Sequence, residues 1–450
     1  MERGITGYMR KITISIFLCM FIITGTAGLS TAGMKLDLEG SINYALEHSR
    51  SVLAAGEKLN EAKAQVATAR ASFIPSVNIT GSYTGIPEAQ SLIFPDGAGG
   101  YTEMVFRGKD TYMYGTTVSQ PLFMSGLLVN AYGLSTANKR ASEEEYLKAK
   151  DEVVFETKKA FYTLLLAREM KTLSEESYSQ TKKHVDQVKV MYDNGMVSKL
   201  DLLRAQVQLS NIRPRVTQAE NGLALAEDAF RMTLGVPPGT EIEVEGEFRF
   251  EPVEVDTEES VSTALKSASD LIIMKEREKM VKKQIGMARA ECLPSVIAMY
   301  NDQHMKPYNF VNDWGDEWNV MLQLQFPIFN GLGVRGKVNS AKAQLKQAQY
   351  GYQTLREATA LQVRQTCMTL QQEEETIASQ KQNIEQAKEA LSIAEERYNR
   401  GIISNLEYMD TQLALTQAKA NYFQAITNYA VAKARLMWIT KQNTDRERGN

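Results

Sequence analysis

Much of this chain is written twice. Tyr192-Asp193-Asn194-Gly195-Met196-Val197-Ser198-Lys199-Leu200-Asp201 returns 206 positions later as Tyr398-Asn399-Arg400-Gly401-Ile402-Ile403-Ser404-Asn405-Leu406-Glu407. Pro121-Leu122-Phe123 returns at the same offset as Pro327-Ile328-Phe329, whereas Ala69 to Val77 returns 219 positions on as Ala288 to Val296. A duplication constrains architecture before any local prediction, because each half has to build the same unit. The change of offset places a 13-residue length difference between the two proline pairs, so the first copy carries a loop-bearing insert there. The expected layout is a repeat at 33–235, a linker with a short strand at 236–257, a second repeat at 258–441 and a polar tail at 442–450.

The first 32 residues stand outside this scheme. Arg3, Arg10 and Lys11 precede a largely apolar stretch from Ile12 to Ile23, and small residues follow. That is the order of a secretory signal peptide, and the apolar run is short of the roughly 20 residues a membrane helix needs. Cys19 follows Leu18, where a lipid-attachment site would need a small residue, so no lipid anchor is expected. Without the segment's three basic residues and its one Glu, the formal charge moves from −3 to about −5, which argues against nucleic acid as a partner. The remaining Cys292 and Cys367 read as two small buried apolar side chains rather than a disulfide framework. No later stretch has the length and apolarity of a membrane helix, so any return to a membrane has to be made by strands.

Within each repeat the periodicity changes in the same order. Residues 36–72 and 258–291 have helical composition and spacing. Strands are predicted at 76–84 and 111–120, and again at 295–301 and 317–326, where apolar and polar residues alternate: Val77, Ile79 and Tyr83 against Asn78, Thr80 and Ser82, or Trp318, Val320, Leu322 and Leu324 against Asn319, Gln323 and Gln325. Between the first two strands a segment rich in Gly and Pro reads as a long exposed loop, and Pro121 is expected to end the second strand. Long helices follow at 127–194 and 333–399, roughly 100 Å each. Their narrow stripes, Tyr178, Val185, Val188 and Tyr192 in one and Ile377, Ile384, Ala387, Leu391, Ala394 and Tyr398 in the other, are coiled-coil seams. Gly195 and Gly401 end these helices, Ser198 and Ser404 start the next, and return helices at 197–235 and 403–441 run antiparallel. Pro214 should kink the first of them.

Four amphipathic strands cannot close a barrel alone, because single-chain membrane barrels begin at eight strands and a sheet in lipid leaves no edge unpaired. Either several chains share one barrel, or the strands never enter a membrane.

The ordered set of proline-bounded hairpins and Tyr-x-x-Gly-x-x-Ser-x-Leu-(Asp/Glu) turns, each in duplicate, resembles the TolC family of outer membrane efflux proteins from Leu36 to about Lys441. The resemblance implies a mainly α fold with membrane β-hairpins: a homotrimer whose 12-stranded outer-membrane β-barrel continues into a long α-helical coiled-coil periplasmic tunnel. It implies a passive exit duct that docks a periplasmic adaptor and an inner-membrane transporter, in a tripartite efflux or type I secretion system. Positions matching the family's acidic periplasmic gate are Glu407 and Asp410, three apart and so on one helix face, where rings of carboxylates would admit cations. Asp201 and Tyr398 match two gate-closing contacts. A basic partner would fall at Ile403, which cannot serve, so Arg400 or Lys199 is the expected substitute. The apolar tips, Gly195, Met196, Val197, Gly401, Ile402 and Ile403, are the expected adaptor-docking surface, with mutual packing of the tips as the competing reading.

No enzyme, cofactor or metal site is expected. His48, His184 and His304 are scattered, and no nucleophile is paired with a base. Tyr112, Tyr114 and Trp318 suit an interfacial aromatic girdle. The rival reading is a periplasmic coiled-coil scaffold or adaptor without a barrel. An adaptor usually has a single helical hairpin, whereas this chain carries two, each with its own strand pair.

Overall fold

The computed structural model describes residues 34–441 apart from 96, 98 and 238; the signal peptide and polar tail expected at 1–32 and 442–450 lie outside the described residues. The first half runs β1 (Met34–Leu36), α1 (Leu38–His48), α2 (Arg50–Ala71), β2 (Ser76–Gly85), β3 (Gln90–Pro95), β4 (Tyr101–Arg107), β5 (Asp110–Phe123), α3 (Leu127–Asp193) and α4 (Lys199–Leu234). After β6 (Ile242–Val244) come α5 (Thr257–Ser267), α6 (Ser269–Ala290), β7 (Ser295–Lys306), β8 (Gly315–Gln325), α7 (Gly333–Asn399) and α8 (Asn405–Ile439). None of the described helices is long and apolar enough to cross a membrane.

At 67 residues each, α3 and α7 span roughly 100 Å. On the tip side they pair with the return helices α4 and α8; on the strand side α2 and α6 pack against α3, and α6 also reaches α7. Two apolar clusters form the waist. One gathers Phe161, Leu165, Phe230 and Leu234, the other Val363, Cys367, Leu370 and Tyr429, and Phe248 packs against both. The waist is closed by β1 pairing parallel to β6, with Leu36 opposite Val244. Beside it the Arg168 guanidinium donates to the Val244 and Gly246 carbonyls at 3.2 and 2.8 Å.

The strands form an open antiparallel sheet in the order β2-β5-β7-β8. Residues directly opposite in the register share a face, which puts Val77, Val118, Tyr300 and Val320 in one row and Ile79, Thr116 and Asp302, then Trp318, in the next. Leu322 and Leu324 extend this face. It is uncovered: Ile79 is 82% exposed and Trp318 69%. The opposite face is polar, with Thr117 donating to Asn301 and Asn301 to Asn319, both at 3.0 Å across three strands. Tyr112 and Tyr114 sit with Trp314 at the far end of the sheet, ring centroids 6.2 and 5.6 Å away.

Several sequence expectations need correction. The helix predicted over 36–72 is two helices broken at Ser49 (φ −64°, ψ 125°), and that over 258–291 breaks at Ala268 (φ −57°, ψ 122°). The end of α4 seats against the first break: a Cβ on Gly235 would lie 2.6 Å from the His48 carbonyl oxygen. The supposed loop between the first two strands folds as its own hairpin, β3–β4. Strand β5 continues past Pro121 to Phe123 with a register shift there. It can do so because β2 pairing begins only at Ser76 opposite Ser119, so the missing N–H is not required by that neighbour. Pro214, where a kink is expected, lies exposed inside the continuous helix α4, so water can satisfy the carbonyl it orphans. Cys367 is buried, but Cys292 is exposed beside the Arg289 carbonyl. Tyr192, expected in the seam, is 36% exposed.

Candidate functional site

The expected gate residues all belong to the two helix tips, and both tips are built by the same local rules. In each, the residue after a glycine donates back five positions: Met196 N–H to the Met191 carbonyl and Ile402 N–H to the Arg397 carbonyl, both at 2.9 Å. The glycines take φ +74° and +71° with open space where a Cβ would stand, so backbone conformation alone demands glycine there. Capping boxes then start the return helices. Asp201 Oδ2 accepts from the Ser198 hydroxyl at 2.6 Å, Glu407 Oε2 accepts from the Ser404 N–H at 3.0 Å, and each serine oxygen accepts from the N–H three residues on.

These caps fix where the acids lie. Glu407 is exposed with its carboxylate folded on its own cap, and Asp410 is exposed one turn further along α8. Asp201 is likewise held by its cap and makes no hydrogen bond to Tyr398. The Tyr398 hydroxyl donates instead to Met191 Sδ at 4.0 Å, while burial first, then the Asp201 carboxylate, raises its pKa above the ordinary phenol value. Arg400, an expected substitute for the basic partner missing at Ile403, pairs with Glu396 one turn back. The apolar tip residues divide. Val197 and Ile403 pack onto the core of Val185, Val188, Ala205 and Tyr398, whereas Met196 and Ile402 stand 70% and 56% exposed.

What joins the tips is a set of residues not singled out for that role by the sequence. His184 on α3 is 4% exposed, and its Nε2 lies 2.5 Å from Asn405 Oδ1 on α8. The Asn405 amide donates in turn to the Asp201 carbonyl of α4 at 3.1 Å. Tyr408 and Tyr398 flank the imidazole, centroids 4.6 and 5.1 Å away. Burial pushes the His184 pKa below its ordinary value, with the Asn405 hydrogen bond opposing. Further bonds join α3 to the second half along the seam: Gln187 to Asn399 at 2.9 Å, Gln412 to Gln180 at 3.0 Å, and Lys419 to Glu176 at 3.4 Å. The available signal for His184 was helical spacing, since Thr181, His184 and Val188 recur on one buried stripe.

The family described as "Outer membrane efflux protein" matches residues 41–236 and 260–440. The outer membrane protein TolC of Vibrio cholerae is 20% identical over 436 residues, 93% of each chain. The toluene efflux pump outer membrane protein TtgC of Pseudomonas putida is 22% identical over 401 residues, covering 85% of this chain and 78% of the relative. Among solved structures, the CmeC outer membrane channel of Campylobacter jejuni superposes with a TM-score of 0.79 at 18% identity, over 91% of this chain and 89% of that one. The family match takes in both tips and all four strands of the open sheet, and the chain is a member of the outer membrane efflux protein family, resident in the outer membrane.

Proposed function

We propose that the protein is the exit duct of a tripartite efflux or type I secretion system. Three copies pool their sheets into a 12-stranded barrel, and α3, α4, α7 and α8 of each copy line a periplasmic tunnel. The observation that carries this reading is the open four-stranded sheet, apolar on one face and hydrogen-bonded polar on the other, with both edges unpaired among the described residues. A soluble monomer gains nothing from exposing Ile79, Trp318, Leu322 and Leu324 together, whereas lipid covers that face and a water-filled lumen solvates the other. Edge pairing between copies satisfies the strand groups that lipid would leave orphaned.

At the far end, Glu407 and Asp410 form stacked carboxylate rings at the periplasmic gate, one set from each copy, and select for cations. Asp201 and Tyr398 help hold the gate shut, Asp201 through its backbone carbonyl and the field of its carboxylate. Met196 and Ile402, the exposed part of the apolar tips, dock a periplasmic adaptor that bridges to an inner-membrane transporter, with Gly195, Gly401, Val197 and Ile403 shaping that surface. The relatives are named for different cargo, toluene in one case and cations in another.

The test is membrane fractionation followed by native mass measurement and planar-bilayer recording of the detergent-extracted protein. A trimer from the outer membrane fraction that inserts and conducts is the expected result. A water-soluble monomer that never conducts would overturn the reading.

A further inference from the structure

We infer that His184 is the positioning residue that latches the two tips together, and that protonating it releases them, so that the gate opens in acid. This rests on the duct reading above and identifies what replaces the basic residue absent at Ile403.

The hydrogen-bond chain fixes the proton. The Asp201 carbonyl can only accept, so Asn405 must present its NH2 there, which leaves the Asn405 carbonyl oxygen facing His184. His184 Nε2 is therefore the donor, and in the neutral ring Nδ1 carries no hydrogen. Among the described residues no protein acceptor meets Nδ1. The latch joins three elements distant in sequence: α3 through His184, α8 through Asn405, and α4 through the Asp201 carbonyl.

Acid would add a proton at Nδ1 and place a full charge in a pocket bounded by Tyr398 and Tyr408, beside Val185 and Val188. Burying an uncompensated charge is costly. The groups facing the imidazole offer little relief. From α7 there is Tyr398 and from α8 Tyr408, both phenols with raised pKa values. From α4 there is Asp201, whose carboxylate is held in its own cap. The Glu395 carboxylate acts on Tyr408. Burial holds the His184 pKa below its ordinary value in the joined tip, while a parted tip returns it to about 6.5. The parted state then binds more protons, so the joined state is fully favoured above about 6.5 and loses ground as pH falls below it.

The experiment is planar-bilayer conductance of the full-length protein, titrated downward from neutral pH. Wild-type conductance should rise several-fold as pH falls below about 6.5. H184Q, which keeps an amide donor and cannot titrate, should stay closed across that range, and N405A should conduct at neutral pH as the wild type does in acid. The E407Q/D410N double variant, which removes the carboxylates at the tip, should keep the acid step. An unchanged step in H184Q, or a closed N405A at neutral pH, overturns the latch while leaving the duct intact. Should the wild type not conduct at all, the duct reading fails instead. The latch is then decided by hydrogen exchange of the tip amides across the same pH range, where protection unchanged by acid overturns it.

Discussion

The two tips share a backbone and differ in what they hold. Both use a six-residue return bond, a left-handed glycine and a capping box, with matching distances. Yet Tyr398 is 5% exposed in the second tip, where its counterpart Tyr192 is 36% exposed in the first. Asn405 is buried and bonded to two other helices, while Lys199 at the matching place lies exposed. Local hydrogen bonding therefore dictates the turn twice over, and tertiary contacts decide which tip supplies the side chains of the joint. The first tip contributes a seat, made of the Asp201 carbonyl and the wall around Val188. The second contributes the parts that sit in it.

Paired substitutions test this contrast, with hydrogen exchange of tip amides as the common readout, since it reports local opening without requiring global two-state unfolding. The widest gap is expected between the tyrosines: Tyr398→Ala should destabilise the tip by about 3 kcal/mol as a buried aromatic truncation, and Tyr192→Ala by less than about 1 kcal/mol. Equal losses would show that the asymmetry is only geometric. Next, Asn405→Ala leaves His184 and the Asp201 carbonyl without a shared partner and should cost about 1–3 kcal/mol, against about 0.5 kcal/mol or less for Lys199→Ala. For the backbone the contrast should vanish. Gly195→Ala and Gly401→Ala should each lose about 1–2 kcal/mol from the left-handed conformation, and a clear difference between them would mean the turns are not equivalent. Smallest are the caps, where Ser198→Ala and Ser404→Ala should cost about 1 kcal/mol apiece.

Sequence reading reached what is encoded locally. Gly195, Ser198 and their counterparts announce the turns because caps are satisfied within a few residues, and the alternation of Val77 or Trp318 with polar neighbours announces the strands. It failed where distant contacts decide. Nothing near Ser49 stops a helix; the seat for the end of α4 lies at Gly235. The β3–β4 hairpin hides in a stretch whose Gly and Pro content reads as loop. Of the tip joint, Tyr398 and Asp201 were named only through the resemblance to the TolC family, as gate-closing contacts. The partnership of His184 with Asn405, 221 positions apart, was not legible, since a histidine in a helical stripe looks the same whether or not something meets it.

The parity of the sheet carries its own consequence. Each chain brings four strands in strict up-and-down alternation, so its outermost members, β2 and β8, point in opposite directions. Laid side by side, β8 of one copy meets β2 of the next antiparallel. A contact of that kind, repeated between copies in the same orientation, is head-to-tail rather than self-complementary, and both edges are satisfied only when such a series closes into a ring. Handedness and curvature of the ribbon, not any special pairing sequence, then decide how many copies complete the circle.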